Sequence, residues 1–533
     1  MTTTIEQNNS KKILDNPAEE LRQKVEFLTK EIQELYLLDE IPWVLGYSGG
    51  KDSTSILQLV WNAIAQLPQK KRTKTISVIT TDTLVENPIV AAWMRSSIEQ
   101  IEKASMAQKM PIEPHLLHPE ATETFWTGLI GKGYPPPKGK FRWCTERLKI
   151  KPSNNFIRNV IRQHGETILV LGIRKAESTA RAARMNKWEK DKIRDRLAPN
   201  VYLPNSLVYS PVEDWSNDQV WMYLMQWDNP WGQSNKDLFS LYRGATADNE
   251  CPLVVDTTTP SCGNSRFGCW VCTLVSQDKS LNAMVQNDEE KEWLQPLLDI
   301  RRDLDVQNNR DRRDFRRRNG NVQLYERNLD GATSIEPIPG PFTKEAREDW
   351  LRKILNAEIE LRKNAPTEFK NISLITLEEL SEIRHIWLEE RHEFDDSLPK
   401  IYKEVTGEEF QDMRKGANEN KILGDDEWEV LQEVCNDDVM HLELMTKLLD
   451  TERQFYTKAR RVGIYESLTK CFDSSSRSRE EAIAKAHDNK DIMDAAVKRD
   501  VETVKKKMQE LAKPKQPQQL TWGAIKFAGS KDN

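Results

Sequence analysis

The feature that most constrains this chain is a strand that runs through a two-glycine turn directly into a helix. The apolar run Ile41 to Leu45 stops at Gly46, and Ser48-Gly49-Gly50-Lys51-Asp52-Ser53 follows. Next come Ile56, Leu59, Val60, Ala63, Ile64 and Leu67, at helical spacing. Glycines let a backbone approach a ligand closely. Successive amides at a helix N-terminus form an anion site. Lys51 adds positive charge, and Ser48 and Ser53 add hydroxyl donors, so the turn is suited to a phosphate or pyrophosphate. It is not a Walker A loop, because Asp52 follows Gly50-Lys51 and no glycine lies five residues before Gly50.

The strand-then-helix pattern recurs. Thr75 to Thr80 is β-branched, Pro88 opens a helical segment to about Lys109, and Ile112 to Leu117 forms another strand-like run. A Gly, Pro and Lys loop over 128–140 precedes a predicted helix from near Cys144 to Arg162, and Thr167 to Ile173 is strongly apolar. Strands alternating with helices predict an α/β fold with a doubly wound, mainly parallel sheet. Ligands of such sheets bind at the carboxyl ends of the strands. Before it, Leu21, Val25, Leu28, Ile32 and Leu35 mark an amphipathic helix. Beyond residue 285 strand-type runs almost vanish, and Pro337-Ile338-Pro339-Gly340-Pro341 reads as a boundary. The expected organisation is an N-terminal helical segment (1–40), an α/β domain with a cysteine cluster (41–285), a charged connection (286–342), a helical domain (343–512) and a flexible tail (513–533).

The string SGGKDS in this setting resembles the PP-loop of the adenine nucleotide α-hydrolases, over roughly residues 30–285. That family includes phosphoadenylylsulfate reductases, ATP sulfurylase subunits and RNA thiolation enzymes. The resemblance implies ATP cleaved between its α and β phosphates, with Ser48, Gly49, Gly50, Lys51, Asp52 and Ser53 around the phosphates. Asp82, in Thr80-Thr81-Asp82-Thr83, falls where relatives carry a polar or acidic residue near the nucleotide. Leu171 to Ser178, followed by Arg181, is similar to the reductase pattern of Gly-x-Arg, Glu-Ser and a later Arg. Arg174 and Arg181 are then candidates to neutralise phosphate or sulfate, with Glu177 orienting one of them. Tyr209 to Trp215 and Asp218 to Trp221 also resemble the reductases, and there the residues read as packing, with a helix cap at Ser216.

Seven cysteines in a chain with the composition of a cytosolic protein point to metal or catalytic thiols before disulfides. Cys251, Cys262, Cys269 and Cys272 fall within 22 residues, a soft-metal set open to zinc or an iron–sulfur cluster. Cys144 lies in Phe141-Arg142-Trp143-Cys144-Thr145-Glu146-Arg147, at a predicted helix start between two cations, a setting that favours thiolate. Cys435 and Cys471 read as packing residues.

Taken together, the loop, the Arg142 to Pro152 stretch, the four clustered cysteines and the helical C-terminal region resemble the DndC sulfurtransferases of bacterial DNA phosphorothioation. That resemblance implies a [4Fe–4S] cluster on Cys251, Cys262, Cys269 and Cys272. It also implies a persulfide on Cys144 loaded by a cysteine desulfurase, ATP with Mg²⁺ held by Asp52 or Asp82, and DNA and other phosphorothioation proteins as partners. Cys144, Lys51 and Asp52 are the candidate catalytic residues. A reductase of adenylylated sulfate is the main rival, opposed by the absence of its Glu-Cys-Gly-Leu-His-like tail. RNA thiolation and a non-catalytic nucleotide-sensing subunit are the others. A net charge of −6 argues against a generally basic nucleic-acid binder, although Arg301 to Arg318 holds eight Arg against four Asp. Lys505, Lys506, Lys507, Lys513 and Lys515 form a second basic group. No apolar run approaches a membrane span and no signal peptide is visible, so the expectation is cytoplasmic.

Overall fold

The computed structural model describes residues 17–512 apart from 140, 178, 180–181, 184, 187–195, 201, 246–266, 307, 319, 330–331, 415–424, 437, 457, 459, 475–477 and 498–500. Strands β1 (Trp43–Gly46), β2 (Ile76–Thr81), β3 (Ile112–Leu117), β4 (Thr167–Val170), β5 (Ala198–Pro199) and β6 (Ser206–Tyr209) form one sheet in the order β3-β2-β1-β4-β6-β5. All neighbours pair parallel except β5, which runs antiparallel to β6. This is the doubly wound, mainly parallel sheet that the alternation of runs predicts. The strand order reverses at β1 and β4, so their exits diverge and open a crevice at the carboxyl edge.

Helix α1 (Pro17–Leu38) presses Leu21, Leu28, Ile32, Leu35 and Tyr36 into the core. Gln33 Nε2 donates to the Ala63 carbonyl at 2.9 Å and Tyr36 Oη to that of Lys74 at 2.8 Å. Helix α2 (Lys51–Ala65) follows the glycine turn, and α3 (Pro88–Gln108) starts with Asn87 capping the Ile89 amide. The segment after Cys144 differs from expectation. A wide π-helical turn, Thr145–Ile150, precedes α4 (Lys151–His164). Pro152 has no amide to close the preceding α-turn, which accounts for the irregular geometry. Helix α5 (Asn217–Gln226) carries the cap read at Ser216, with Gln219 completing a capping box. Helix α6 (Asn235–Gly244) follows.

The chain divides into two compact units, residues 1–312 with 342–421, and residues 313–341 with 422–533. One division falls between Pro341 and Phe342, and residues 343–512 are shared between the two units. Their first part groups with the α/β domain, because apolar side chains of the 344–406 helices and of residues 125–148 share one core. Trp126 Nε1 donates to the Leu374 carbonyl at 2.7 Å, and Trp387 Nε1 to that of Ile130 at 3.0 Å.

Glu379 is buried at the start of the Leu377–His385 helix, where it accepts from the Thr376 amide at 2.9 Å. Burial raises its pKa to about 7. A carboxyl raised on folding supports the fold fully below its unfolded pKa, and that support is lost as pH rises through the folded value. Stability should therefore fall between about pH 4.5 and 7. Glu379→Gln should flatten that slope in denaturant titrations, and an unchanged slope would exclude Glu379 as its source.

The second unit contains a hairpin of β7 (Leu324–Leu329) and β8 (Ala332–Pro337), together with helices between Asp425 and Ala512. The hairpin lies in the stretch beyond residue 285 where apolar strand-type runs almost vanish. Its strand Leu-Tyr-Glu-Arg-Asn-Leu is polar, not an apolar run.

The basic stretch is largely occupied internally. In the first unit Arg301 donates to the Val275 carbonyl at 2.6 Å, and Arg312 pairs with Asp349 at 2.5 Å. In the second, Arg316 pairs with Asp314 and Glu443, each at 2.8 Å. Arg317 reaches the Pro339 carbonyl at 3.3 Å. Lys507 stands 3.4 Å from both Asp488 and Asp491, while Lys513 and Lys515 lie outside the described residues. Among the described residues no helix is long and apolar enough to cross a membrane.

Candidate active site

The glycine turn leaves β1 at the crevice. Gly49 has φ +70°, a conformation natural to glycine, and Trp93 Nε1 donates to its carbonyl at 3.2 Å. The Ser48 amide donates to Ser53 Oγ at 3.2 Å, and Ser53 Oγ donates to the Gly50 carbonyl at 3.0 Å. The two serines thus brace the turn. Asp52 lies between two cations, with Oδ2 at 2.8 Å from Lys51 Nζ and Oδ1 at 2.7 Å from Arg174 Nε. Arg174 is buried and also donates to the Trp215 carbonyl at 3.2 Å. It ties the loop after β4 to the turn after β1. Arg174 thus holds the loop in place, and its contact with a phosphate or sulfate stays an expectation.

Gly172 makes this approach possible. A Cβ there would lie 3.1 Å from the Asp52 carbonyl carbon and 3.2 Å from the Ser53 amide nitrogen. Gly172→Ala should cost about 1–3 kcal/mol of stability and weaken nucleotide binding. Denaturation and nucleotide titration check both, and full stability with full affinity would exclude the close approach as a requirement.

Asp82 is buried just past β2. It accepts from the Leu84 amide at 2.9 Å and from Arg95 at 2.7 Å. Both Asp52 and Asp82 thus engage cations of the chain itself. Both carboxylates lie at the carboxyl ends of strands beside the glycine turn, and their magnesium-ligand role stays an expectation. Glu177 and Arg181 lie outside the described side chains, and so do Cys251 and Cys262.

The same segment leads to the thiols. Glu86 bridges Cys269 through the backbone, Thr83 Oγ1 stands 3.5 Å from Cys269 Sγ, and the Trp270 amide donates to the Val85 carbonyl at 3.0 Å. Cys144, from the distant loop before α4, comes into this neighbourhood, close enough for its charge and those of Cys269 and Cys272 to interact. Trp143 fixes that loop by stacking on Phe125 at 5.5 Å and donating to the Pro135 carbonyl at 3.0 Å.

The electrostatics differ from the expectation of a low thiol pKa. Burial pushes the Cys144 and Cys269 thiols up. Arg142 is engaged with the Gly139 carbonyl at 3.0 Å, and Arg147 with Glu123 at 3.2 Å. The cation at the thiols is Lys149 instead. Cys269, Glu86, Cys144 and Cys272 raise its pKa, with Cys269 the largest influence, against the lowering effect of burial. Lys149 Nζ is 3.8 Å from Glu86. A cavity of about 370 Å³ opens beside Glu86 and Trp270, walled on one side by residues 368–376. Among the described residues no group of three His, Cys, Asp or Glu is placed to hold a metal ion. Lys149, Glu86 and Tyr242 went unmarked in the sequence. Lys149 lies within the Arg142 to Pro152 stretch, but its partners come from other segments.

A glycine turn suited to phosphate thus lies at the crevice of a doubly wound α/β sheet, with thiols at the same edge. Residues 42–274 match the family model of the phosphoadenosine phosphosulfate reductase domain. An uncharacterized protein of Methanocaldococcus jannaschii is 26% identical over 202 residues, or 38% of this chain and 35% of that protein. The chain thus spans about a third of the length of this curated relative. Among solved structures, the phosphoadenylyl-sulfate reductase of Candida auris in its phosphate complex is similar at 14% identity and TM-score 0.25, over 40% of this chain and 89% of that one. The U34-tRNA thiolase NcsA of Methanococcus maripaludis with its [4Fe-4S] cluster is similar at 13% identity and TM-score 0.26, over 53% and 80%.

Proposed function

We propose that this protein is an ATP-dependent sulfurtransferase that places sulfur on the DNA backbone. The observation that carries the reading is spatial. One segment, Asp82 to Arg95, touches the phosphate loop through Trp93 and the thiol group through Glu86 and Thr83. A nucleotide activator and a sulfur carrier are therefore offered at one edge of one sheet. The specific substrate rests on the resemblance of the loop, the Cys144 stretch and the cysteine cluster to the DndC sulfurtransferases.

In this reading the turn from Ser48 to Ser53 binds the phosphates of ATP. Asp52, clamped by Lys51 and Arg174, holds the turn in shape. A non-bridging oxygen of a DNA phosphodiester attacks the α-phosphorus, and pyrophosphate leaves. The adenylylated oxygen is then a leaving group. A persulfide on Cys144, loaded by a cysteine desulfurase, attacks the DNA phosphorus, and AMP departs with that oxygen. Reductive cleavage of the S–S link leaves the phosphorothioate and frees the thiol. Lys149 places positive charge beside the sulfur atoms. Cys269 and Cys272, with Cys251 and Cys262, would hold the [4Fe–4S] cluster, and thiolates suit it. When bound, that cluster would relay electrons one at a time, and an external low-potential reductant of the reduced-ferredoxin class would supply the two that the S–S cleavage consumes. The test is ATP turnover by anaerobic protein, with and without DNA and a desulfurase. AMP and pyrophosphate release that rises with DNA is expected, and DNA-independent sulfite formation from phosphoadenylylsulfate would overturn the reading in favour of a reductase.

A further inference from the structure

Tyr242, near the end of α6, touches the phosphate loop from well outside the motif. The Lys51 amide donates to its hydroxyl at 3.4 Å, and a Cβ on Gly50 would lie 3.0 Å from the same oxygen. Lys51 Nζ is 6.0 Å from the centre of its ring. The hydroxyl thus lies against an amide at the N-terminus of α2, the kind of group that binds an oxyanion. A phosphate oxygen is the stronger acceptor, because a charged partner roughly doubles the strength of such a bond.

The Tyr242 ring links this site to the thiols. It packs edge-on against Trp221, with centroids 5.1 Å apart, and against Phe267 at 4.8 Å and 74°. Phe267 is two residues from Cys269, and the segment continues through Trp270, whose amide is held by the Val85 carbonyl. The contact therefore runs from loop amide to phenol, from phenol to Phe267, and from Phe267 along the backbone to Cys269 and Cys272.

We propose that Tyr242 is a positioning residue whose hydroxyl holds the Lys51 amide until a phosphate oxygen takes its place, and whose ring passes that exchange to Phe267 and the thiol-bearing segment. The inference rests on the reading of the loop as a phosphate site. It makes loop occupancy and the order of the thiol segment reciprocally coupled. Removing the hydroxyl removes the group that phosphate must displace, so Tyr242→Phe should bind more tightly. A neutral hydrogen bond contributes about 1 kcal/mol, or about five-fold in affinity.

The probe is inorganic pyrophosphate, titrated by calorimetry against the full chain. Hydrogen–deuterium exchange is followed in the peptide from Phe267 to Thr273. The wild-type peptide should exchange at least about three-fold faster once pyrophosphate is bound, as Phe267 loses its fixed neighbour. Tyr242→Phe should bind about five-fold more tightly and lose that response. Phe267→Leu should bind pyrophosphate and respond less. Equal affinity in wild type and Tyr242→Phe, or unchanged exchange in wild type with pyrophosphate bound, overturns the coupling alone. Failure of pyrophosphate to bind either protein overturns the phosphate-loop reading and the coupling with it.

Discussion

If the proposed function holds, Cys144→Ser is expected to abolish sulfur incorporation into DNA, by about three orders of magnitude or more, while the proposed cluster's iron and acid-labile sulfide are retained. A serine oxygen cannot carry a persulfide, so the donor is lost with almost no change in volume. The structure makes iron retention the more informative half of the result. Cys144 is close enough to Cys269 and Cys272 for their charges to interact, so it has two possible uses, sulfur carrier and metal ligand. Iron content separates them. Lost activity with full iron assigns Cys144 to sulfur transfer, whereas iron lost in step with activity makes it a ligand and removes the proposed carrier. ATP cleavage to AMP and pyrophosphate should persist in Cys144→Ser, because the glycine loop is built from other residues.

Asp52→Asn is the second large effect expected. The substitution keeps the side-chain shape and removes the negative charge between Lys51 Nζ and Arg174 Nε. Arg174 is buried, so it would be left as a charge without its carboxylate partner. Breaking a buried pair in this way costs about 3–5 kcal/mol. The lower part of that range applies here, because Asp52 retains some access to water. Denaturant unfolding should show the stability loss, and pyrophosphate release should fall by about a hundred-fold or more. Unchanged pyrophosphate release in a folded Asp52→Asn protein would remove the clamp from the catalytic argument. Arg174→Lys should recover little, since an ammonium cannot reach Asp52 and the Trp215 carbonyl with the same fork of donors.

Local chemistry was legible in the sequence wherever one short stretch carries the whole signal. The runs at β1, β2 and β4 are buried strands, as the interior of a covered parallel sheet requires, whereas β3 at the sheet edge buries only Ile112 fully. The Ser216 cap and the glycine turn are likewise defined by neighbours a few residues apart. Structure is not legible where the signal is spread thinly or depends on a distant partner. The β7–β8 hairpin has polar strands without an apolar run. The turn at Thr145–Ile150 depends on a missing amide at Pro152, not on periodicity.

Site chemistry divides along the same line. The residue types available for phosphate binding and sulfur chemistry, and the parallel sheet that presents them at one edge, follow from short-range patterns of apolar side chains, glycines and cysteines. What those groups do to one another was decided only by folding. Asp52 and Arg174 are 122 residues apart in the chain, as the crossover from β1 to β4 requires. Cys144 meets Cys269, Lys149 sits among the thiols, and Tyr242 reaches the Lys51 amide for the same reason. Charge, burial and hydrogen bonding act over a few ångströms of space, and separation along the chain does not encode that distance.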